Sequence, residues 1–102
     1  HDIVRIGDNA GRERIGYDVV GPVCESGDTF ASARALPRCR AGDLVAILGA
    51  GAYGASMAST YNSRPLAAEV LVDDGRYALV RKRQTFDEMI AGERPATDWI
   101  TA

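Results

Sequence analysis

Three side chains that could do chemistry lie close together in residues 21–28, GPVCESGD. Cys24 carries a thiol, and the carboxylates of Glu25 and Asp28 follow within four positions. A thiol beside carboxylates is a poor thiolate nucleophile and a better proton donor, because the negative charges favour its protonated form. The residues alone leave the commoner alternative open, in which Cys24 is a small, half-buried packing residue.

A second candidate site lies in residues 43–56, DLVAILGAGAYGAS, where an apolar run precedes the pattern GxGxxG from Gly49. This pattern is typical of a dinucleotide-binding turn, and two acids follow about 20 residues later, where the ribose of NAD needs one. Such a unit also needs a long crossover helix between parallel strands. The chain has room for only a short helix before Pro65, and then continues into a hairpin. The short helix and the hairpin that follow the glycines therefore argue against an NAD site.

The glycines of this pattern could simply permit a tight turn and close packing. They do not account for Tyr53, which lies among Gly51, Ala52 and Gly54. Its small neighbours would let the backbone approach another group closely, and a phenol can donate or accept a hydrogen bond. Tyr53 is thus the candidate binding residue of this segment.

The composition excludes several other kinds of chemistry. His1 is the only histidine, so an internal Ser-His-Asp or Cys-His pair and a zinc cluster are both excluded. Cys24 and Cys39 are the only cysteines, and two thiols are favoured over a disulfide because nothing indicates secretion. A net charge of -2 without a basic stripe argues against nucleic acid as a partner. We expect no membrane span and no signal peptide.

The elements that position these residues are predicted to be mostly strands. Strands are indicated by the runs DIVRI, RERIGYDVVGPV and LVAIL, the last of them buried. Residues 24–43 are polar, which predicts a loop with at most one helical turn. The run AAEVLVDDGRYALVRKR predicts a hairpin around Asp74-Gly75.

Two short helices complete the prediction. AYGASMAST would form about two turns, ended by YNSRP because proline disfavours helix just before itself. TFDEMIAGE has Thr85 as N-cap and Glu88 three residues on, which is a capping box. A chain of 102 residues suits one small domain. We expect residues 1–102 to form a mostly β domain, a partial Greek-key-like barrel or sandwich with short helical inserts.

Two long motifs in series, GPVCESGDTFA and GAYGASMASTYNSRPLAAEVLV, resemble the C-terminal part of the diaminopimelate decarboxylases. The resemblance runs from about Val19 to near Arg83. These are pyridoxal-phosphate enzymes of the alanine-racemase-like fold type, related to the ornithine and arginine decarboxylases. Glu25 fits the diaminopimelate branch, since the ornithine branch typically carries aspartate after the cysteine.

The resemblance implies a larger enzyme than this chain. It implies a (β/α)8 barrel that carries pyridoxal 5'-phosphate, a β-domain built from both chain ends, and a homodimer with active sites at the subunit interface. Since such a barrel takes about 250 residues, the chain would be roughly a quarter of the enzyme and part of its β-domain. The lysine that binds the cofactor would lie in the barrel. Lys82, the only lysine here, matches no such motif and is expected to be solvated.

The resemblance also implies roles for single residues. Cys24 would enter the active site of the neighbouring subunit and protonate the carbanion left after carbon dioxide departs. Glu25 would contact the distal amino group of the substrate. Tyr53 would contact both cofactor and substrate in its own subunit. Arg64 would brace a loop, and Cys39 has no implied role.

The function expected on this basis is decarboxylation of meso-diaminopimelate to L-lysine, in the cytoplasm and without a metal. The isolated chain would be inactive without the barrel. Two alternatives remain: another decarboxylase of the family, of the ornithine or arginine type, or a non-catalytic β-domain module that pairs with a separate barrel chain.

Overall fold

The computed structural model describes all 102 residues, and the chain forms two compact units, His1–Met57 and Ala58–Ala102. The strands are β1 (Ile3–Arg5), β2 (Arg14–Val20), β3 (Thr29–Pro37), β4 (Val45–Ile47), β5 (Glu69–Asp73) and β6 (Arg76–Arg81). The single α-helix is α1 (Phe86–Ile90). The chain contains no helix with the length and apolar character needed to cross a membrane. The prediction of a mostly β, partial barrel or sandwich fold with short helical inserts is confirmed, and no strands close into a barrel.

The first unit contains two antiparallel strand pairs, β1 with β4 and β2 with β3. In the first pair Ile3 lies opposite Ile47, so β4 returns to β1 after the intervening β2–β3 hairpin. β1 also packs beside β3. Ile3 and Leu36, one from each of these strands, are the only buried hydrophobic residues of the chain, at 6% and 4% exposure. The core of the unit is therefore small.

The prediction of an irregular segment at residues 24–43 is wrong, because its middle forms β3, the longest strand. A β-bulge hides the two-residue alternation that would have indicated a strand. Tyr17 pairs with Arg34 and Val19 with Ala31, so two residues of β3 lie opposite one of β2. Ala33 in the bulge has a φ of 49°, and its amide donates to the Asp18 carboxylate at 2.8 Å. Pairing with β2 thus overrides weak strand propensity.

The predicted strand at LVAIL exists as β4, but the prediction that it is buried is wrong. Leu44 is 67% exposed and Leu48 is 48% exposed. The predicted two-turn helix after it is also wrong in length. Only a single wide turn, Gly51–Ala55, forms there, and Ala52 within it has non-helical backbone angles. Gly51 and Gly54 in this short segment disfavour a longer helix.

The prediction that residues 43–73 do not form a βαβ unit is confirmed. β4 pairs with β1 and β5 pairs with β6, and both pairs are antiparallel. The glycine pattern therefore lacks the parallel strand and the crossover helix of a dinucleotide-binding turn, which rules out the NAD interpretation.

The second unit contains the predicted hairpin and the predicted capped helix. Asp73 lies opposite Arg76, and the central turn residues Asp74 and Gly75 have φ of 43° and 73°. Positive φ at both positions is the geometry that matches the twist of paired strands. The Thr85 hydroxyl accepts a hydrogen bond from the Glu88 amide at 3.1 Å, which confirms the N-cap.

Candidate functional site

The loop between β2 and β3, residues 21–28, is called the cysteine loop below. It is closed at its base, where the Gly21 amide donates to the Asp28 carbonyl at 2.8 Å and extends the strand ladder. Within the loop the Asp28 amide donates to the Glu25 carbonyl at 3.0 Å. These two backbone hydrogen bonds, one at the base and one within the loop, give the loop a defined shape. The side chains at its tip are therefore carried by a short, anchored turn.

Cys24 and Glu25 both lie exposed in the cysteine loop. The Glu25 carboxylate accepts a hydrogen bond from the Gly27 amide at 2.6 Å, and the Ser26 hydroxyl donates to it at 3.3 Å. A carboxylate has about four acceptor positions, so these two bonds leave room for a further donor. The loop thus presents a thiol and a carboxylate side by side to solvent.

Asp28 behaves differently from Glu25. Its side chain is only partly exposed, and one carboxylate oxygen accepts a hydrogen bond from the Val23 amide at 2.8 Å. The carboxylate occupies the space beside Gly21, where a Cβ would clash with it. Both carboxylates are thus bonded within the loop, but Asp28 is partly shielded from solvent, whereas Glu25 is exposed. The sequence indicates Asp28 only as a charge near Cys24, because its bond to the Val23 amide depends on the folded loop.

Tyr53 lies on a separate element, the turn that follows β4. The turn is closed by the Ala55 amide donating to the Ala50 carbonyl at 2.8 Å and by the Met57 amide donating to the Tyr53 carbonyl at 3.0 Å. The Tyr53 side chain is 72% exposed. Cys24 and Glu25 thus share one loop, and Tyr53 extends from another.

The glycines around Tyr53 have different physical roles. Gly49 has a φ of 64°, a left-handed conformation that favours glycine. At Gly54 a Cβ would lie 3.2 Å from the Ala50 Cβ, which is tighter than normal packing. Both glycines therefore shape the turn that presents Tyr53.

An ion pair braces β1 against the segment before β4. The Arg5 guanidinium donates to the Asp43 carboxylate at 3.0 Å, with the Arg5 side chain only 8% exposed. The same carboxylate accepts from the Arg40 amide at 2.9 Å. The bond from Arg5, followed by the bond from the Arg40 amide, holds the pKa of Asp43 below its usual value. This brace fixes the start of the strand that leads to the Tyr53 turn.

The remaining candidates do not form a site of their own. The Lys82 ammonium pairs with Glu88 at 2.7 Å, and this contact lowers the pKa of the Glu88 carboxyl. The Cys39 thiol donates to the Pro37 carbonyl at 3.1 Å, and the structure contains no disulfide. The Arg64 side chain is exposed and makes no ion pair. No cluster of three or more histidine, cysteine, aspartate or glutamate residues could hold a metal ion.

A family model matches the first half of the chain. Residues 1–51 match the family described as "Pyridoxal-dependent decarboxylase, C-terminal sheet domain". The matched half contains the cysteine loop and both strand pairs of the first unit. The turn that carries Tyr53 follows directly.

Curated relatives extend the similarity over most of the chain. A diaminopimelate decarboxylase of Zymomonas mobilis is 53% identical over 83 residues, which are 81% of this chain and 20% of that protein. Another, from Methanothermobacter thermautotrophicus, is 55% identical over 76 residues, 74% of this chain and 18% of that protein. The chain spans about a fifth of the length of these relatives.

Solved structures are similar in fold as well as in sequence. The diaminopimelate decarboxylase from Helicobacter pylori, complexed with L-lysine, is 44% identical with a TM-score of 0.78 and covers 89% of this chain and 22% of its own. The diaminopimelate decarboxylase from M. jannaschii, in co-complex with L-lysine, is 35% identical with a TM-score of 0.84 and covers 93% of this chain and 21% of its own.

Proposed function

Because this chain belongs to the pyridoxal-dependent decarboxylases, through the C-terminal sheet domain of that family, we propose that it supplies part of the active site of a diaminopimelate decarboxylase. The proposed reaction converts meso-diaminopimelate to L-lysine and carbon dioxide. The observation that carries this proposal is the side-by-side exposure of Cys24 and Glu25 on the anchored cysteine loop. Identity above 50% to proteins named diaminopimelate decarboxylase supports the choice of substrate.

Cys24 is proposed as the proton donor. When bound, pyridoxal phosphate supplies the electron sink for the bond to carbon dioxide, so the protein must orient that bond and deliver a proton. A thiol can act as a general acid, so the Cys24 Sγ can give its proton to the carbon that has lost the carboxyl group. Exposure of Cys24 on a loop lets it reach a substrate held by another part of the enzyme.

Glu25 is proposed to select the substrate by its second amino centre. Its carboxylate already accepts from the Gly27 amide and the Ser26 hydroxyl, which hold it at the loop surface. A remaining lone pair can accept a charge-assisted hydrogen bond from the distal ammonium of diaminopimelate. A substrate without that ammonium would leave this carboxylate without its charged partner.

Tyr53 is the residue of this chain that fits a contact with the cofactor. Its hydroxyl is exposed on a turn whose neighbours are glycine and alanine, so a large ring could approach closely. The one lysine, Lys82, is paired with Glu88 and does not lie among small residues that would let a ring approach. We therefore propose that Tyr53 contacts the cofactor and substrate, and that the covalent attachment lies in another part of the enzyme.

The partner of this chain in the proposed enzyme is a barrel domain, in a cytoplasmic homodimer with active sites at the subunit interface. The many exposed apolar side chains support the need for a partner, since Leu71, Tyr77 and Leu79 of the hairpin are each at least 60% exposed. In the proposed dimer Cys24 would serve the neighbouring subunit and Tyr53 its own. This arrangement would explain why the two lie on separate elements.

The proposal is tested with the full-length protein, by measuring carbon dioxide and lysine formed from meso-diaminopimelate, with ornithine and arginine as competing substrates. We expect Cys24→Ala to lower kcat by about 10² to 10⁴-fold, the usual cost of losing a positioned acid, while the absorbance of the bound cofactor persists. Cys39→Ser is the matched control, since it alters the other thiol of the chain, and we expect it to keep normal turnover. Near-normal turnover of Cys24→Ala would reject Cys24 as the proton donor.

A further inference from the structure

Asp28 is the one residue that bonds to both sides of Cys24. Its side-chain carboxylate accepts from the amide of Val23, which precedes Cys24, at 2.8 Å. Its backbone amide donates to the carbonyl of Glu25, which follows Cys24, at 3.0 Å. A single residue thus holds both ends of the Val23–Cys24–Glu25 segment, whose two internal peptide units set the direction of the Cys24 side chain.

The base of the cysteine loop reinforces this arrangement. The Asp28 carbonyl accepts from the Gly21 amide at 2.8 Å, directly beyond the last strand pair, Val20 with Thr29. Asp28 is therefore fixed by the β2–β3 ladder and transmits that position to the loop tip. The absence of a Cβ at Gly21 leaves the space in which the Asp28 carboxylate lies.

We propose that Asp28 is a positioning residue, which holds the Cys24 thiol in the direction needed for proton transfer. This inference rests on the proposed role of Cys24. The carboxylate is turned inward to the Val23 amide and is partly shielded, so it acts through Cys24 rather than by contact with the substrate. Gly21 contributes to the same positioning, because only glycine leaves room for the Asp28 carboxylate.

The test compares variants of the full-length protein. In Asp28→Ala the Val23 amide loses its acceptor, so we expect kcat to fall about 10 to 100-fold, the usual cost of a small misplacement of a reacting group. The KM for meso-diaminopimelate should change less than about twofold, because the loop still presents Glu25. Asp28→Asn keeps an acceptor oxygen and should restore most of the turnover.

Two readouts separate positioning from loss of structure. Slower proton transfer should raise the solvent deuterium isotope effect on kcat in Asp28→Ala, whereas a smaller fraction of folded enzyme would leave it unchanged. In a Cys24→Ala background, Asp28→Ala should cause almost no further loss, because residues that act as a unit are not additive. A full additional loss, or an unchanged isotope effect, would overturn the proposal.

Asp18→Ala is the matched control, since its carboxylate accepts from a backbone amide of the same hairpin at the same 2.8 Å. It should leave kcat and the isotope effect unchanged in the folded enzyme. If Asp28→Ala fails to fold, Gly21→Ala displaces the same carboxylate without removing it and should reproduce the kinetic changes. Normal kcat in a folded Asp28→Ala enzyme rejects the inference, whereas normal kcat in Cys24→Ala rejects the proposed role of Cys24 on which the inference rests.

Discussion

At the scale of single residues, three side chains of the candidate site differ in how accessible they are to a ligand. These are Glu25, Asp28 and Tyr53. Asp28 is engaged by the Val23 amide and lies inward, whereas Glu25 is exposed and bonded only within its own turn. The Tyr53 hydroxyl is on a side chain that is 72% exposed. The outward groups, Glu25 and Tyr53, are therefore the ones available to a ligand.

The proposed contact of Glu25 with the distal ammonium leads to a prediction for substrate affinity. In the full-length enzyme, Glu25→Gln turns a charge-assisted hydrogen bond to the distal ammonium into an ordinary one, so we expect the KM to rise roughly tenfold. The spectrum of the bound cofactor should stay unchanged. Glu93→Gln, a neutralised exposed glutamate outside the cysteine loop, is the control and should keep a normal KM. An unchanged KM with loss of lysine formation would assign Glu25 to the chemistry instead.

At the scale of elements, the brace between Arg5 and Asp43 predicts a pH dependence of stability. The pKa of Asp43 is lowered in the folded chain, so its contribution is complete above the unfolded value and is lost as pH falls through the folded value. With an unfolded pKa near 4, the loss should begin below about pH 4. We expect the melting temperature of the wild type to fall more steeply between about pH 4 and pH 2 than that of Asp43→Asn. Equal slopes for the two proteins would mean that the brace does not contribute.

The β5–β6 turn gives a second prediction at this scale. Gly75 has a φ of 73° and a Cβ there would meet nothing within 4 Å, so Gly75→Ala introduces backbone strain without a clash. We expect a loss of about 1–2 kcal/mol in the free energy of unfolding, measured by denaturant titration. Gly92→Ala is the control, because its Cβ also meets nothing and its φ is not positive. Equal stability of the two variants would contradict the turn geometry.

Elements with a local signal could be predicted from the sequence. The hairpin around Asp74-Gly75 and the helix capped by Thr85 depend on turn and capping residues that are visible in the sequence. β3 could not be predicted, since its bulge at Ala33 breaks the alternation and its pairing partner lies elsewhere in the sequence. In the candidate site, too, only the features with a local sequence signal could be predicted. The motifs indicated Cys24, Glu25 and Tyr53, whereas the bond from Val23 to Asp28 depends on the folded loop.

At the scale of the whole molecule, the chain buries little apolar surface for its composition. Hydrophobic residues make up 46% of the chain, yet only Ile3 and Leu36 among them are buried. Large apolar side chains such as Leu71 and Trp99 remain more than half exposed. Because burial of apolar surface is the main stabilising contribution in folding, the isolated chain should be marginally stable.

The missing parts of the proposed enzyme lead to the prediction for the isolated chain. We expect it to release no carbon dioxide from meso-diaminopimelate. Borohydride reduction in the presence of pyridoxal phosphate should not label Lys82, whose ammonium is paired with Glu88 at 2.7 Å. The full-length protein, treated in the same way, is the control and should be labelled outside these 102 residues. Stoichiometric labelling of Lys82 in the isolated chain, detected by peptide mass, would contradict the proposed division of the active site.

The pairing of β1 with β4 also has a consequence for how the first unit folds. Arg5 pairs with Val45, so the strands close a loop of about 40 residues, and this loop contains the β2–β3 hairpin. The β2–β3 hairpin forms from contacts that are nearer in sequence. Once Arg14 lies opposite Pro37, the pairing of Arg5 with Val45 has to close a loop less than half as long as before. Each halving lowers the entropic cost of closure by about 0.6 kcal/mol. The cysteine loop is therefore expected to form early, before β1 pairs with β4.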